Sequence, residues 1–344
     1  MAELIWEERW HPLRREWVLI AGHRASRPWA GESLAAATGS VPEYDPSCHF
    51  CPGNRRVSGI TNPDYTSPFA FTNDHPPMGP GAPDPVPGVI PYGSRSARGL
   101  CKVITYHRRH DLTLAEMPVE DIAVVATAWQ RETQDLGARP EVKSVLVFEN
   151  KGKVVGVSNP HPHCQIYGAN FVFQVLQLEV EAARMARAEE DRNVFEAMLM
   201  EEHRDGRRIL HENDAFTAFI PFAARYAYEV MILTRRRAGS LTDFTPPDIH
   251  LLAACLKEVL VRYDNLWRMP LPYVMALHQA PTDGGHYPDF RFHIEIYPPL
   301  RAPHTLKYLA GPELGGGNII NPTCPEEKAA ELRSLSGTHY KESP

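Results

Sequence analysis

The chain lacks any apolar run long enough to span a lipid bilayer, and its first residues do not have the layout of a secretory signal peptide. It also lacks long blocks of lysine and arginine, and its formal net charge is −6. These absences argue against a membrane and against nucleic acid as the main partner. We therefore expect a cytoplasmic protein, and its 344 residues suffice for one large domain or two modest ones.

Closely spaced cysteines are scarce as well. The six cysteines are Cys48, Cys51, Cys101, Cys164, Cys255 and Cys324. Only the first two lie near each other, which favours one cysteine-containing metal site in the cytosol over the disulfide framework of a secreted protein. The 16 histidines are numerous for this length, and they favour metal or proton chemistry without locating it.

Runs rich in β-branched residues predict strands, and apolar residues at helical spacing predict helices. The predicted strands are Leu100–Tyr106, Ser144–Phe148, Ala215–Ile220, Glu229–Leu233, Tyr273–Leu277 and Phe292–Tyr297, and the predicted helices are Pro118–Gln134, Val175 to about Glu202, and Pro247–Leu266. The segment His75–Gly99 is crowded with proline and glycine, which indicates an irregular loop that is free to move. We expect the tail after Gly337 to fray.

The chain also contains an internal repeat. Leu112–Ile122 resembles Leu241–Ile249, and Pro162–Tyr167 resembles Phe292–Tyr297. The first residues of the first pair are 129 positions apart, and the histidines of the second pair are 130 positions apart. Two similarities at nearly one offset indicate a duplicated unit of sheet and helix. We expect the two copies to face each other in one body rather than to form independent domains.

Cys48 and Cys51 form a C-x-x-C pair in a loop rich in proline, serine and glycine. Two thiolates at this spacing can bind one tetrahedral cation, most plausibly Zn²⁺, although a redox motif and a chance spacing are the alternatives. The chain has no second C-x-x-C, so histidines must complete a metal site. His110 and His161 are the candidates, and four protein ligands would make this zinc structural.

The heptapeptide His161–Tyr167 reads as a strand with polar side chains at alternating positions. His161, His163 and Gln165 should then point to one face of the sheet. On its own, such a pair of histidines is equally consistent with a structural pair or with an arm of a metal site. If His161 completes the metal site of the C-x-x-C pair, the two histidines have different roles, and His163 becomes the candidate reactive residue.

A neutral imidazole is a competent nucleophile toward phosphorus, and we expect His163 to act in this way. Its second ring nitrogen needs an acceptor that fixes the tautomer, most simply a backbone carbonyl. Gln165 can donate an amide N–H to a phosphoryl oxygen as charge builds there. Ser158 and the backbone N–H groups near Gly156 could hold an adjacent phosphate.

A second group of candidate ligands lies in the other half of the chain. His278, His293 and Glu295 occur near predicted strand ends, and Glu179 lies early in the long predicted helix. Carboxylates and imidazoles together can bind Fe²⁺ or Zn²⁺. The alternatives are that Glu179 is a solvated residue on a charged helix and that Glu295 forms a salt bridge.

Several further motifs resemble the galactose-1-phosphate uridylyltransferase family, a branch of the histidine-triad (HIT) superfamily. The matching segments are His23–Trp29, Cys48–Asn54, Asn62–Tyr65, Phe71–Asp74, Phe148–Gly152, Ser158–His163 and Tyr297–Leu300. They are spread over nearly the whole chain.

This resemblance implies reversible exchange of UMP between UDP-glucose and galactose 1-phosphate, a step of galactose metabolism (the Leloir pathway), through a uridylyl-histidine on His163. It places Gln165 and Ser158 beside this histidine in the catalytic group. Its zinc ligands fall on Cys48, Cys51, His110 and His161, and its second-metal ligands, for Fe or Zn, on Glu179, His278, His293 and Glu295. Its nucleotide-sugar contacts fall on Arg24, Arg27, Asn73, Asp74, Asn150, Gly156, Val157, Ser158, Gln165, Lys307 and Glu313. It also implies a homodimer.

The sequence departs from the family's pattern at several positions. Most HIT members carry a third histidine where this chain has Gln165, which suits a transferase rather than a hydrolase. Cys164 replaces the commoner glycine, and Glu295 stands where well-known members have histidine. The Gly311–Gly317 segment also differs, and it lacks a clear counterpart of a glutamine that contacts the sugar.

The resemblance and the repeat together predict an α+β fold, namely two tandem HIT-like antiparallel half-barrels with outer helices, internally duplicated. The predicted halves are residues 1–170, with the zinc site and the nucleophile, and residues 171–344. Two other functions stay open at this point: a related nucleotidyltransferase or phosphorylase acting on ADP-sugars, and a zinc-stabilised nucleotide-binding protein without catalysis.

Overall fold

The computed structural model describes residues 5–22, 24, 41–86, 88, 91–157 and 159–342. Within these ranges the strands are β1 (Trp6–His11), β2 (Glu16–Ala21), β3 (Phe69–Thr72), β4 (Gly99–Thr105), β5 (Ser144–Lys151), β6 (His163–Ala169), β7 (Ile209–Glu212), β8 (Phe216–Phe219), β9 (Val230–Thr234), β10 (Tyr273–His278), β11 (His293–Tyr297), β12 (Leu300–Ala302), β13 (Thr305–Leu306) and β14 (Ile320–Asn321). The helices are α1 (Val119–Gly137), α2 (Gln174–Glu190), α3 (Val194–Asp205), α4 (Pro246–Leu266) and α5 (Pro325–Arg333). None of the described helices is long and apolar enough to cross a membrane.

All six predicted strands are present, and α1 and α4 begin within one residue of their predicted starts. The single helix predicted from Val175 to about Glu202 is wrong, because two helices, α2 and α3, occupy that range. Asp191 ends α2 in the left-handed conformation, with φ 48°. The Asn193 side chain then caps α3 by accepting hydrogen bonds from two backbone N–H groups of its first turn.

Nine strands form one sheet in the order β3-β4-β6-β5-β10-β11-β9-β8-β7, and every ladder in it is antiparallel. The run β4, α1, β5, β6 has the same chain order as the run β9, α4, β10, β11. The sheet order β4-β6-β5 is mirrored by β10-β11-β9 across the β5–β10 ladder. The antiparallel α+β fold and its duplication are therefore confirmed, whereas the division at residue 170 stays a prediction because one sheet runs through both parts.

Helices α1 and α4 pack against each other and cover one face of this sheet. The buried residues of α1, such as Ile122, Val125 and Trp129, recur at helical spacing and meet alternate residues of the strands, such as Val147 and Ile166. Helices α2 and α3 contribute to a smaller core, which includes residues of the opposite face of β8 and β9. The face of β6 that points away from α1 contributes to neither of these two cores.

The register of the sheet places the two groups of polar residues on the same face. Gln165 lies opposite Phe148, Phe148 opposite Ala276, and Ala276 opposite Glu295. Residues directly opposite each other in antiparallel strands point to the same side, and so do residues two apart on one strand. The histidines that begin β6 and β11 therefore share this face, which we call the polar face.

The expectation that the tail frays after Gly337 is wrong for residues 338–342. His339 is only 2% exposed, and its Nε2 lies 3.4 Å from an oxygen of Asp264 in α4. The Asn265 side chain donates to the carbonyls of Ser336 and Thr338 at 2.8 Å each. Asp264 also forms a buried ion pair with Lys151 at the end of β5, at 2.9 Å. The tail is thus tied to α4 and, through Asp264, to the end of β5.

Candidate active site and metal clusters

The first cluster consists of Cys48, Cys51, His110 and His161, whose ligand atoms all lie within 4.8 Å of one another. Cys51 Sγ is 3.7 Å from Nδ1 of His110 and 3.6 Å from Nδ1 of His161. A tetrahedral zinc with ordinary Zn–S and Zn–N bonds requires an S···N separation of about 3.6 Å. All four residues are buried. The donor set and its spacing therefore fit a metal ion that is bound tetrahedrally by four protein ligands.

The ring of His161 is oriented for this cluster from its far side. Its Nε2 lies 2.9 Å from the backbone oxygen of His107 and 3.0 Å from the Tyr65 hydroxyl. A carbonyl can only accept, so Nε2 carries the proton and Nδ1 presents its lone pair to the cluster. Such a bond keeps the ring in the tautomer that a cation needs.

His161 itself does not belong to the strand, contrary to the predicted alternation of three polar residues. β6 begins at His163, because the Asn159 side chain accepts from the backbone N–H of His161 at 3.0 Å and forms a turn there. His163 and Gln165 do share the polar face, as predicted.

His163 is partly buried, and its Nδ1 lies 2.7 Å from the backbone oxygen of His161. Since the carbonyl accepts, the proton is on Nδ1 and the lone pair is on Nε2. Burial lowers the pKa of His163, which favours the neutral ring. The Phe50 ring, from the loop between the two cysteines, lies edge-on to His163 with centroids 4.9 Å apart. The Phe50 ring and the His161 carbonyl together position this imidazole.

The carboxamide of Gln165 is oriented by two donors on its oxygen. Asn73 Nδ2 donates to Oε1 at 3.2 Å, and the Tyr167 hydroxyl donates to the same oxygen at 2.9 Å. Asn73 is held in turn by accepting from the backbone N–H of His75 at 2.9 Å. Because both of these bonds go to the oxygen, the NH₂ group of Gln165 points the other way and is the group that can donate to a ligand.

Other predicted contacts lie around this pair. Asp74 accepts from the backbone N–H of Ser58 at 3.2 Å and lies 3.5 Å from Arg56. Asn150 lies two residues after Phe148 in β5 and therefore points to the polar face as well. Gly156, with φ 84°, ends a short 3₁₀ turn after β5 and is followed by Val157. Two predicted site residues, Arg27 and Ser158, lie outside the described residues.

Glu179, His278, His293 and Glu295 form the second cluster, whose ligand atoms also lie within 4.8 Å of one another. Glu179 is 0% exposed, so its interpretation as a solvated helix residue is wrong. Its Oε1 lies 2.8 Å from Nδ1 of His278 and 3.6 Å from Nε2 of His293. Three buried atoms of this cluster have no hydrogen-bond partner among the described residues, namely Glu179 Oε2, His293 Nε2 and Glu295 Oε1. Such atoms fit a cation.

β6 and β11 are equivalent strands of the duplicated unit, and they carry the same arrangement of polar residues. In β6 the polar face carries His163, Gln165 and Tyr167, and in β11 it carries His293, Glu295 and Tyr297. In both strands the tyrosine hydroxyl donates to the residue two positions earlier. In both, Nδ1 of the histidine bonds the carbonyl two residues before it, which for His293 is that of Arg291 at 2.9 Å.

Arg24, Lys307 and Glu313 line a separate cavity of ≈ 480 Å³, whose lining residues include neither His163 nor Gln165. Lys307 Nζ is buried and has no hydrogen-bond partner among the described residues, although it lies 4.8 Å from the centroid of the Tyr226 ring. Burial lowers the pKa of Lys307 to about 8. The structure therefore divides the predicted nucleotide contacts into two groups.

The comparisons with known proteins agree with this geometry. The family model described as "Galactose-1-phosphate uridyl transferase, N-terminal domain" matches residues 2–172, and the corresponding C-terminal model matches residues 179–344. The chain belongs to the galactose-1-phosphate uridylyltransferase family. The family predicted from the motifs is thus confirmed.

Two members of this family illustrate the degree of similarity. A galactose-1-phosphate uridylyltransferase of Rattus norvegicus is 36% identical over 337 residues, covering 96% of this chain and 88% of the rat protein. One of Haemophilus influenzae is 35% identical over 342 residues, covering 97% and 95%.

Solved structures support the fold. A structure titled as a uridylyltransferase superposes with a TM-score of 0.77 at 28% identity, covering 95% of this chain and 97% of that one. An ADP-glucose phosphorylase from Arabidopsis thaliana superposes with a TM-score of 0.76 at 20% identity, over 96% and 99% of the two chains. The second likeness speaks for the fold alone.

The structure also accounts for Cys164, the family departure between His163 and Gln165. Its side chain lies on the opposite face of β6, fully buried in the core beneath α1. Burial raises the pKa of its thiol. Cys164 is therefore an inert packing residue on the face of β6 opposite to His163, and the alternation of the strand was the signal for it.

The geometry predicts that Cys48→Ser lowers metal content and stability together. Serine is a poor ligand for a soft site, so we expect the loss of about one metal ion per chain and on the order of 4 kcal/mol in the free energy of unfolding. Elemental analysis and denaturant unfolding measure the two quantities. Cys101→Ser, at a buried cysteine outside both clusters, is the control and should keep the metal. A Cys48→Ser protein that is equally stable and metal-replete would contradict the assignment.

Proposed function

We propose that this protein is a UDP-glucose–hexose-1-phosphate uridylyltransferase that moves UMP reversibly from UDP-glucose to galactose 1-phosphate through a covalent uridylyl-histidine. The observation that carries this proposal is the 2.7 Å bond that commits Nδ1 of His163 to a carbonyl and leaves Nε2 as the nucleophile. The relatives are named as uridylyltransferases, so the predicted enzyme class, a nucleotidyltransferase, is confirmed.

In the first step, Nε2 of His163 attacks the α-phosphorus of UDP-glucose. An N–P bond forms, the P–O bond to glucose 1-phosphate breaks, and glucose 1-phosphate leaves with the electron pair. The ring becomes a uridylyl-imidazolium whose Nδ1 proton stays on the bond to the His161 carbonyl. In the second step, a phosphate oxygen of galactose 1-phosphate attacks the same phosphorus, the N–P bond breaks and the neutral imidazole returns.

Neither step needs a general acid or base, because the leaving group and the incoming nucleophile are both phosphate anions. Hydrolysis is different, since an attacking water must lose a proton. Gln165 cannot take that proton, but its NH₂ group can donate to a phosphoryl oxygen as negative charge develops. A carboxamide therefore suffices for transfer between phosphates, whereas a hydrolase would benefit from a third histidine that accepts a proton.

The remaining predicted contacts bind the nucleotide sugar in this proposal. Asn73, Asp74 and Asn150, with the backbone around Gly156 and Val157 and the predicted Ser158, would hold the nucleotide and its phosphates beside His163. Arg24, Arg27 and Lys307 would neutralise the charge of the phosphates, with Glu313 contacting a sugar hydroxyl. The ammonium of Lys307 is buried and has no hydrogen-bond partner in the described part of the chain, which supports a role in binding an anion.

We infer zinc for the first cluster, since two thiolates and two imidazoles are its usual ligands. With four protein ligands, this ion would fix the loop that carries Phe50 and the chain before β6, and it would take no part in the chemistry. For the second cluster, two carboxylates and two imidazoles suit either Fe or Zn. We also propose that the enzyme works in the cytoplasm.

We further propose a homodimer in which each active site uses residues of both chains. The separate cavity of Arg24, Lys307 and Glu313 supports this arrangement, because its residues lie apart from His163 within one chain. The hairpin of β1 and β2, which leads to Arg24, also presents an aromatic pair to solvent. Trp10 and Trp17 are 40% and 50% exposed and lie 5.3 Å apart, which suits a subunit interface.

The covalent mechanism predicts that enzyme mixed with UDP-glucose labelled at the α-phosphorus, without acceptor, retains label on His163. Galactose 1-phosphate should release this label as UDP-galactose, and ADP-glucose should leave much less label. Peptide mapping by mass spectrometry locates the modification. Gln165→Asn keeps a carboxamide at a shorter reach and should slow labelling without abolishing it. An active enzyme that never carries label would contradict the covalent step.

The shared-site proposal predicts complementation between two inactive variants. When His163→Ala and Lys307→Ala chains are mixed and allowed to exchange, half of the dimers are hybrids, and one of their two sites carries both defects while the other carries none. Activity should therefore rise to about a quarter of the wild-type value. Unmixed variants are the controls. If each site is built from one chain, mixing cannot restore activity, and a mixture as inactive as its components would contradict the proposal.

A further inference from the structure

The second cluster contains a cation of its own, Arg14, which sequence reasoning did not detect. The Arg14 guanidinium is buried and donates from Nη2 to Glu295 and, at 2.7 Å, to the Tyr297 hydroxyl. Its Nη1 lies 3.9 Å from Glu179. A single guanidinium thus pairs with both carboxylates of the cluster, and the interpretation of Glu295 as a salt-bridge partner is correct.

The turn between β1 and β2 is built to deliver this side chain. The backbone N–H of Arg14 donates to Nδ1 of the buried His11 at 3.1 Å, and Arg15 takes the left-handed conformation with φ 54°. Leu13 is fully buried in the core formed with α2 and α3. The turn is therefore anchored on both sides of Arg14, which places the guanidinium against the polar face.

The equivalent strand of the other copy shows why a guanidinium is needed here. Gln165, at the position of Glu295, is neutral, and its oxygen is satisfied by Asn73 and Tyr167 without any cation. A buried carboxylate in the same setting requires a positive charge. The ion pair of Glu295 and Arg14 therefore occupies the place that the neutral Gln165 has in the other copy.

The charges of the cluster also bear on metal binding. With both imidazoles neutral, as metal binding requires, two carboxylates and one guanidinium leave a net charge of about −1. A divalent ion would convert this into one excess positive charge in a buried site. Without Arg14, the same ion and the two carboxylates would balance. Arg14 thus competes electrostatically with any metal ion that the unpartnered atoms of Glu179, His293 and Glu295 could bind.

We propose that Arg14 is a built-in counter-cation, which holds the second cluster together without a metal ion and lowers its affinity for a divalent ion below that of the first cluster. The second cluster is then a weak, conditional metal site, whereas the first is filled at much lower free zinc. This inference concerns metal binding and folding, and it does not depend on the transferase reaction.

The test compares the wild type with Arg14→Met and with the control Arg15→Met, which changes the adjacent exposed arginine. Each protein is equilibrated with zinc buffered at a series of free concentrations, and bound zinc per chain is measured by elemental analysis. We expect the second equivalent to bind at least about tenfold more tightly in Arg14→Met than in the wild type and Arg15→Met. Thermal unfolding should show a larger stabilisation by zinc in Arg14→Met.

Two results would overturn the proposal. One is a wild type that fills both clusters at the same free zinc, and the other is a folded Arg14→Met protein whose second equivalent binds no better than in the wild type. An Arg14→Met protein that folds only with zinc supports it, because the metal then replaces the guanidinium. If that variant does not fold even with zinc, Arg14→Met/Glu295→Gln decides: a folded double variant supports charge pairing as the role of Arg14, and an unfolded one contradicts it.

Discussion

The hydrogen bond from a histidine Nδ1 to the carbonyl two residues earlier is the interaction on which the site depends. It occurs in both copies of the duplicated strand, from His163 to the His161 carbonyl at 2.7 Å and from His293 to the Arg291 carbonyl at 2.9 Å. It fixes the tautomer and leaves the lone pair on Nε2 in each ring. In the first copy the carbonyl belongs to His161 of the first cluster, so that cluster helps to position the ring of His163.

The two copies differ in charge rather than in geometry. Both present histidine, a carboxamide or carboxylate, and tyrosine on one face of a continuous antiparallel sheet. The neutral Gln165 keeps its surroundings open to a phosphate, whereas Glu295 brings a carboxylate that the protein must balance from the β1–β2 turn. The same strand pattern thus carries a neutral polar site in one half and an ionic cluster in the other.

Local patterns were enough to predict the strands and the duplication. Spacing also identified the C-x-x-C pair and the polar residues of the repeated strand. The full membership of both clusters was implied by the family resemblance, because His110, Glu179 and His278 lie far from these motifs in the sequence. Arg14 could not be found in this way, because it meets Glu295 across 281 positions and only the tertiary fold joins them. The same reason applies to His339, whose tail is ordered by side chains of α4. The break between α2 and α3 rests on an aspartate in a left-handed conformation, which periodicity does not reveal.

If the carbonyl of His161 commits Nδ1 and leaves Nε2 to attack, the position of the N–P bond on the ring shows it directly. The uridylyl-enzyme can be trapped without acceptor, digested under alkaline conditions that preserve phosphoramidates, and examined by ³¹P and ¹⁵N magnetic resonance. We expect phosphorus on Nε2 of His163. Phosphorus on Nδ1 of that ring, or on another residue, would contradict it.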